Sequence, residues 1–183
     1  MENGKHVVTA NKAAIAANYH KLMDTAKANN VAFRFEASVG GGIPILGTLT
    51  GPLRANKFEE VLGILNGTTN YILTMMTQEG LDYDTALREA QGFAEADPTA
   101  DVEGIDAANK LTILMALMFD KYVAPQDIPT TGITQITKEK IEEALAEAEA
   151  IVSASDQVDS YMLRYNGGSG EISAYLKDDR TMK

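Results

Sequence analysis

The chain has 183 residues, 45% of them hydrophobic, which suits one compact domain with room for a second partial unit. Its formal charge of -10 disfavours phosphate backbones and anionic membrane surfaces as partners, and no apolar run reaches the ~18 residues needed to span a bilayer. Cysteine is absent, which excludes disulfides, thiolate metal sites and cysteine nucleophiles; His6 and His20 are a poor basis for a zinc centre; and no secretory leader opens the sequence, so a cytoplasmic location is expected.

Residues 6–10, ending Val7-Val8-Thr9-Ala10, form a short β-branched run that predicts a strand. Asn11 is placed to cap a helix over 12–29, with Ile15, Tyr19, Leu22, Met23 and Ala26 recurring on one face. Residues 31–37 alternate and predict a second strand, so 1–37 reads as a βαβ unit with parallel pairing. Ser38-Val39-Gly40-Gly41-Gly42-Ile43-Pro44 is a loop, and 58–65 predicts an apolar strand. A turn at Asn66-Gly67-Thr68-Thr69 precedes helices over 70–77 and 83–93. Residues 95–103 form an acidic loop, and 105–119 the most apolar helix of the chain, which belongs in a core. A periodic helix over 138–153 has Thr137 as its cap, and 159–165 with 171–176 predict a hairpin across Gly167-Gly168-Ser169-Gly170. The fold class expected is α+β: a mixed β-sheet with helices packed on one face, plus the N-terminal βαβ unit.

Several groups of residues can carry chemistry. Asp106 and Lys110 are four apart and share a helical face, about 5–6 Å apart at Cβ. Their neighbours are almost all apolar. Burial favours a neutral amine and a nearby carboxylate favours a charged one, so a lysine held between them can give and take a proton. The plainer reading is a surface ion pair. Glu95, Asp97, Asp101 and Glu103 read either as a solvated acidic loop or as a site for a cationic amine. Their spacing does not fit an EF-hand calcium loop. Lys12 follows a strand directly, at the edge where open α/β sheets bind ligands, although a surface lysine has the same pattern. The Asn66 to Asn70 stretch is either an anion cradle or a plain helix cap. The three glycines at 40–42 match no phosphate-loop pattern; they make a structural turn or, with Glu36, expose carbonyls to a hard cation.

Four segments then fall in one order: Val7 to Ala13, Glu36 to Ile45, Gly63 to Leu73 and Glu95 to Lys110. Together they resemble the homoserine dehydrogenase family, over roughly residues 4–137. The resemblance implies an oxidoreductase that interconverts L-homoserine and L-aspartate 4-semialdehyde with NAD or NADP, on the route to threonine and methionine. It implies catalytic roles for Lys110, Lys12 and Asp106. It implies substrate binding by Glu95, Asp101, Asp106, Gly67 and Thr68, and cofactor contact by Asn11 and Lys12. Glu36 with the carbonyls of Val39, Gly41 and Ile43 resembles a sodium site. A homodimer is implied as well, with no nucleic-acid or membrane partner. Residues 1–37 would be the remnant of a nucleotide-binding unit and 38–183 a catalytic and dimerisation domain, of which 138–183 matches only loosely. The family's Gly-rich cofactor fingerprint is not present, so the chain is expected to be the catalytic part alone and inactive by itself. The alternative is a non-catalytic domain that binds an amino acid or cation or serves assembly.

Overall fold

A computed structural model describes residues 1–92, 97–153, 161–166 and 171–176, with side chains as far as residue 147. In chain order the elements are β1 (Val7–Val8), α1 (Lys12–Ala28), β2 (Phe33–Arg34), α2 (Leu46–Thr50), α3 (Gly67–Gln78), α4 (Tyr83–Gln91), α5 (Thr99–Val102), α6 (Ile105–Met118), α7 (Lys138–Ser153), β3 (Tyr161–Asn166) and β4 (Glu171–Leu176). They divide into two compact units. The first comprises Met1–Asn66 and Ile105–Ile128, the second Gly67–Gly104 and Pro129–Lys183. None of the described helices is long and apolar enough to cross a membrane.

In the first unit β1 and β2 pair in parallel, Val7 opposite Phe33 and Val8 opposite Arg34. This is the expected βαβ unit with shorter strands. Beyond Arg34 the chain tightens into a 3-10 turn at Glu36–Ser38, where the expected strand would have continued. The buried Ser38 hydroxyl donates to the Phe35 carbonyl at 2.6 Å, a local bond that competes with strand geometry. The α1 helix starts where Asn11 predicts, the Asn11 side chain accepting the Ala14 N–H at 3.0 Å. Ile15, Ala16, Tyr19 and Ala26 are buried, but Met23 is turned outward. Asn18 departs from helical dihedrals and shifts the phase of the second half of α1, so the sequence periodicity does not carry through.

The α6 helix is the central element of this unit. Ile113, Leu114 and Ala116 pack with Ile15, Ala16, Tyr19, Phe35, Val39 and Leu46. The Tyr122 hydroxyl donates to the Ala16 carbonyl at 2.8 Å, and Thr112 Oγ1 to the Val123 carbonyl at 2.8 Å. These two hydroxyls thus tie α6 and the segment after it to α1, each with its own hydrogen bond made.

The strand expected over 58–65 does not form; the segment is irregular. A strand needs a neighbour for its backbone groups, and no described strand pairs with it. Its Leu62 and Ile64 side chains are 56% and 78% exposed, so its apolar pattern does not mark a covered face here. The described strands therefore form a parallel pair and an antiparallel pair rather than one mixed sheet, within an α+β chain that is mostly helical. The short α2 helix, read from sequence as loop, follows from the bonds of Thr48 Oγ1 to the Pro44 carbonyl and Thr50 Oγ1 to the Leu46 carbonyl.

In the second unit α3 starts at Gly67, three residues before the expected 70, so the predicted turn is the first turn of the helix. Asp82 caps α4 through the Thr85 N–H at 2.9 Å. Part of the expected acidic loop is the short α5 helix, whose entry is fixed by the Thr99 N–H bonding Asp97 Oδ1 at 3.0 Å. Ile72, Met76, Ala86, Ala90, Val102, Ile133, Ile136 and Ile141 form one core. Thr137 caps α7 as predicted, Oγ1 accepting the Lys140 N–H at 3.4 Å. The predicted hairpin forms, Tyr161 opposite Leu176 through Asn166 opposite Glu171. Its turn at 167–170 and positions 159 and 160 lie outside the described residues.

The backbone approaches itself closely where Ile133 N–H bonds the Val102 carbonyl at 2.8 Å. A Cβ on Gly132 would sit 2.6 Å from that carbonyl oxygen and 2.9 Å from Glu103 Cα. Gly132→Ala is therefore expected to cost about 1–3 kcal/mol by overpacking against backbone. Urea denaturation measures this, and an unchanged midpoint would mean the two segments are not in contact.

Candidate active site

Three charged side chains from two helices meet in the first unit. Lys12 stands in the first turn of α1, shortly after β1. Asp106 opens α6, and Lys110 follows one turn later on the same face. The short gap between β1 and α1 is held by Thr9, whose Oγ1 accepts the Asn11 N–H at 3.1 Å, and by the Asn11 cap itself. Packing of α1 on α6 brings the two helix starts together.

Asp106 is the junction. Its Oδ1 lies 3.0 Å from Lys12 Nζ and its Oδ2 lies 2.6 Å from Lys110 Nζ. Asn66 Nδ2 donates to the same Oδ2 at 2.9 Å. Lys110 Nζ also donates to the Leu65 carbonyl at 2.5 Å. Exposure falls from 39% for the Lys12 side chain to 17% for Lys110 and 7% for Asp106, so the carboxylate is the innermost charge. Burial alone pushes the Asp106 carboxyl up, but hydrogen bonds from Lys110, Asn66 and Lys12, with the charge of Lys110, outweigh it and hold the carboxyl below the usual carboxylate range. Asp106 is thus an anion set between two cations.

A carboxylate oxygen offers about two acceptor directions. Lys110 and Asn66 use those of Oδ2, whereas Oδ1 takes Lys12 and retains room for one more donor. The arrangement can hold two ammonium groups in fixed positions and accept one further N–H or O–H from a ligand.

The remaining sequence-predicted residues are distributed as follows. Asn11 is exposed and spends its side-chain oxygen on its own helix, so the cap does not use its NH2 group. Glu36 Oε2 accepts the Gly47 N–H at 2.6 Å. Gly40 and Gly41 take left-handed dihedrals (φ 77° and 59°), which only glycine adopts without strain, and they turn the loop that carries the Val39, Gly41 and Ile43 carbonyls. The Ile43 carbonyl accepts the Ile45 N–H at 2.8 Å. Gly67 and Thr68 begin α3, and the half-buried Asp101 stands in α5, all three in the second unit. Glu95 lies outside the described residues. Among the described residues no three His, Cys, Asp or Glu side chains gather as a metal-binding group.

From sequence Asn66 was read only as the start of an anion cradle or a helix cap, and neither it nor the Leu65 carbonyl was linked to the Asp106–Lys110 pair. The signal available was the chemistry of Asp106: a buried carboxylate needs more donors than one lysine supplies, and Asn66 is the polar residue that ends the apolar run before it.

Two family models match the chain. One, described as homoserine dehydrogenase, covers residues 44–163; the other, described as the homoserine dehydrogenase NAD binding domain, covers residues 1–36. The homoserine dehydrogenase of Bacillus subtilis is 51% identical over 77% of the chain, and that of Methanocaldococcus jannaschii 49% identical over 76%. The chain spans only 33% and 42% of the lengths of those two relatives. Among solved structures, a homoserine dehydrogenase from Thiobacillus denitrificans superposes with a TM-score of 0.79 at 44% identity, covering 89% of this chain and 36% of its own. A putative homoserine dehydrogenase from Archaeoglobus fulgidus gives 0.77 at 40%, covering 96% and 52%.

Removing the central anion strands two cations. Asp106→Ala is expected to cost about 3 kcal/mol, the lower end for a broken buried pair because Lys12 reaches water. The depressed folded-state value of Asp106 means that its stabilisation is complete above the unfolded carboxylate range, near pH ~4, and is lost as pH falls through the folded value. The stability gap between wild type and variant should therefore close in acid. Urea titrations across the acid range check the sign, and a gap that stays constant down to about pH 2 would mean that Asp106 is not the charged partner.

Proposed function

Because the chain belongs to the homoserine dehydrogenase family, we propose that it supplies the substrate-handling and proton-transfer groups of an enzyme that interconverts L-homoserine and L-aspartate 4-semialdehyde. The observation that carries this reading is the bridge from Lys12 through Asp106 to Lys110. An alcohol becomes an aldehyde by losing its hydroxyl proton and a hydride from the same carbon. In its amine form Lys110 takes the hydroxyl proton, and as an ammonium it returns the proton in the opposite direction. Asp106 fixes the position of that nitrogen and stays ionised while it does so. The remaining acceptor direction on Oδ1 suits a substrate ammonium. For Glu95, Asp101, Gly67 and Thr68, substrate contacts are what the family resemblance implies.

A bound nicotinamide, from NAD or NADP, supplies the hydride acceptor in one direction and the donor in the other. The start of α1 fits its approach: Lys12 is partly exposed there, and the Asn11 NH2 group is available as a donor. Residues 1–37 are read as part of the nucleotide-binding unit and 38–183 as the catalytic and dimerisation domain. The oxygen set of Glu36 and the Val39, Gly41 and Ile43 carbonyls has the chemistry of a sodium site, in a loop held by the bond from Gly47 to Glu36. Exposed Leu62 and Ile64 support burial of the 57–66 segment against a second copy in a homodimer. The reaction is placed in the cytoplasm, on the route to threonine and methionine.

The test is a chimera in which this chain replaces the matching segment of the Bacillus subtilis relative, assayed for L-homoserine oxidation with NAD and with NADP. Lys110→Ala is expected to lower kcat by about 10²–10⁴-fold, with homoserine binding kept by calorimetry. Turnover close to that of the unsubstituted chimera would remove Lys110 from the chemistry.

A further inference from the structure

Asn66 is a buried polar side chain, 7% exposed, at the end of the irregular 57–66 segment. Its amide donates to Asp106 Oδ2, while the carbonyl of the preceding residue, Leu65, accepts from Lys110 Nζ. Two adjacent residues thus grip both members of the pair, one through a donor and one through an acceptor. An ammonium has three N–H bonds. Leu65 and Asp106 take two from Lys110, and one direction is left among the described residues.

We propose that Asn66 is a positioning residue for the Lys110–Asp106 pair, its amide locking the plane of the carboxylate so that the remaining direction at Lys110 Nζ is held fixed for a bound substrate oxygen. This rests on the acid–base reading of Lys110 given above. The physical reason is a count of donors. With Asn66 and Lys110 on Oδ2, and Lys12 on Oδ1, the carboxylate has three anchors and cannot turn about its Cβ–Cγ bond. Without the amide only the two lysines remain. Both nitrogens end long flexible side chains, so the carboxylate and Lys110 Nζ can move together. The charged groups facing Asp106 are Lys12 from α1 and Lys110 from α6; Asn66 is the neutral contact between them and the incoming chain.

The experiment is carbon NMR of aspartate carboxyl and lysine Cε signals in the 183-residue chain as a function of pH, with Asp106→Asn and Lys110→Ala assigning the two resonances. Asn66→Ala is expected to raise the Asp106 midpoint and to broaden or displace the Lys110 signal, because a donor to the anion has been lost. Asn66→Ser, with a shorter donor, should fall between. A residue that only fills space would lower thermal stability and leave both signals where they were; that result in folded Asn66→Ala overturns the proposal. If Asn66→Ala does not fold, Asn66→Leu keeps a side chain of similar size while removing the donor and adding no charge, and the same upward displacement is expected. Failure of both variants to fold would make Asn66 a requirement of the fold and would also end the proposal. None of these readouts needs turnover, so a chimera inactive on homoserine would remove the functional reading and leave the anchoring result standing.

Discussion

A single carboxylate, that of Asp106, holds Lys12 and Lys110 together in the first unit. It is nearly buried, yet ionised, because two lysines and one amide surround it. An isolated anion in that position would be neutralised or expelled. Each lysine would in turn be a poorly compensated cation. The three therefore define one another, and the helix packing that brings them together decides both stability and chemistry. Such a pair is not a cheap source of stability, since desolvation offsets much of the attraction. The role proposed for Lys110 gives such a pair a reason other than stability.

The fold serves this junction with little regular sheet. Two residues of β1 and two of β2 fix the entry of α1. The apolar face of α6 then packs on α1, and the hydroxyls of Tyr122 and Thr112 tie the elements together. Ionic contact forms at the helix starts, where side chains reach past the apolar contact into space that is only partly shielded. The irregular 57–66 segment completes the set from the other direction. Its backbone is not used by a strand, which leaves the Leu65 carbonyl free to receive Lys110. The same local irregularity that defeats the strand prediction is what makes the contact.

The geometry constrains the function proposed for this chain. The resemblance implies a substrate carboxylate at Asp106. Here most of its acceptor capacity is used within the chain, and its first duty is to hold two lysines. One direction is left for a ligand, which makes a second carboxylate a requirement for gripping a substrate ammonium.

The longer helices were legible in the sequence because local rules fix them, whereas the short α2 and α5 were read as loop. Asn11 and Thr137 cap where they should, the apolar run over 105–118 is helical and central, and the two strands predicted for the hairpin pair with each other. The pairing of Asp106 with Lys110 was legible too, since helical spacing alone puts them on one face. Lys12 was identified as a site residue by resemblance, but its distance to Asp106 depends on how α1 lies on α6, and no local rule gives that. The partnership of Asn66 with Asp106 was missed for the same reason: the two are 40 residues apart and only the return of the chain brings them together. The strand over 58–65 failed because an alternating or apolar run specifies a strand only when a neighbour exists to pair with it. Sequence by itself thus determined which residues could be helical and which charges share a turn. Tertiary structure alone decided which charge is buried and how many donors meet it, because burial and donor count are properties of several segments at once.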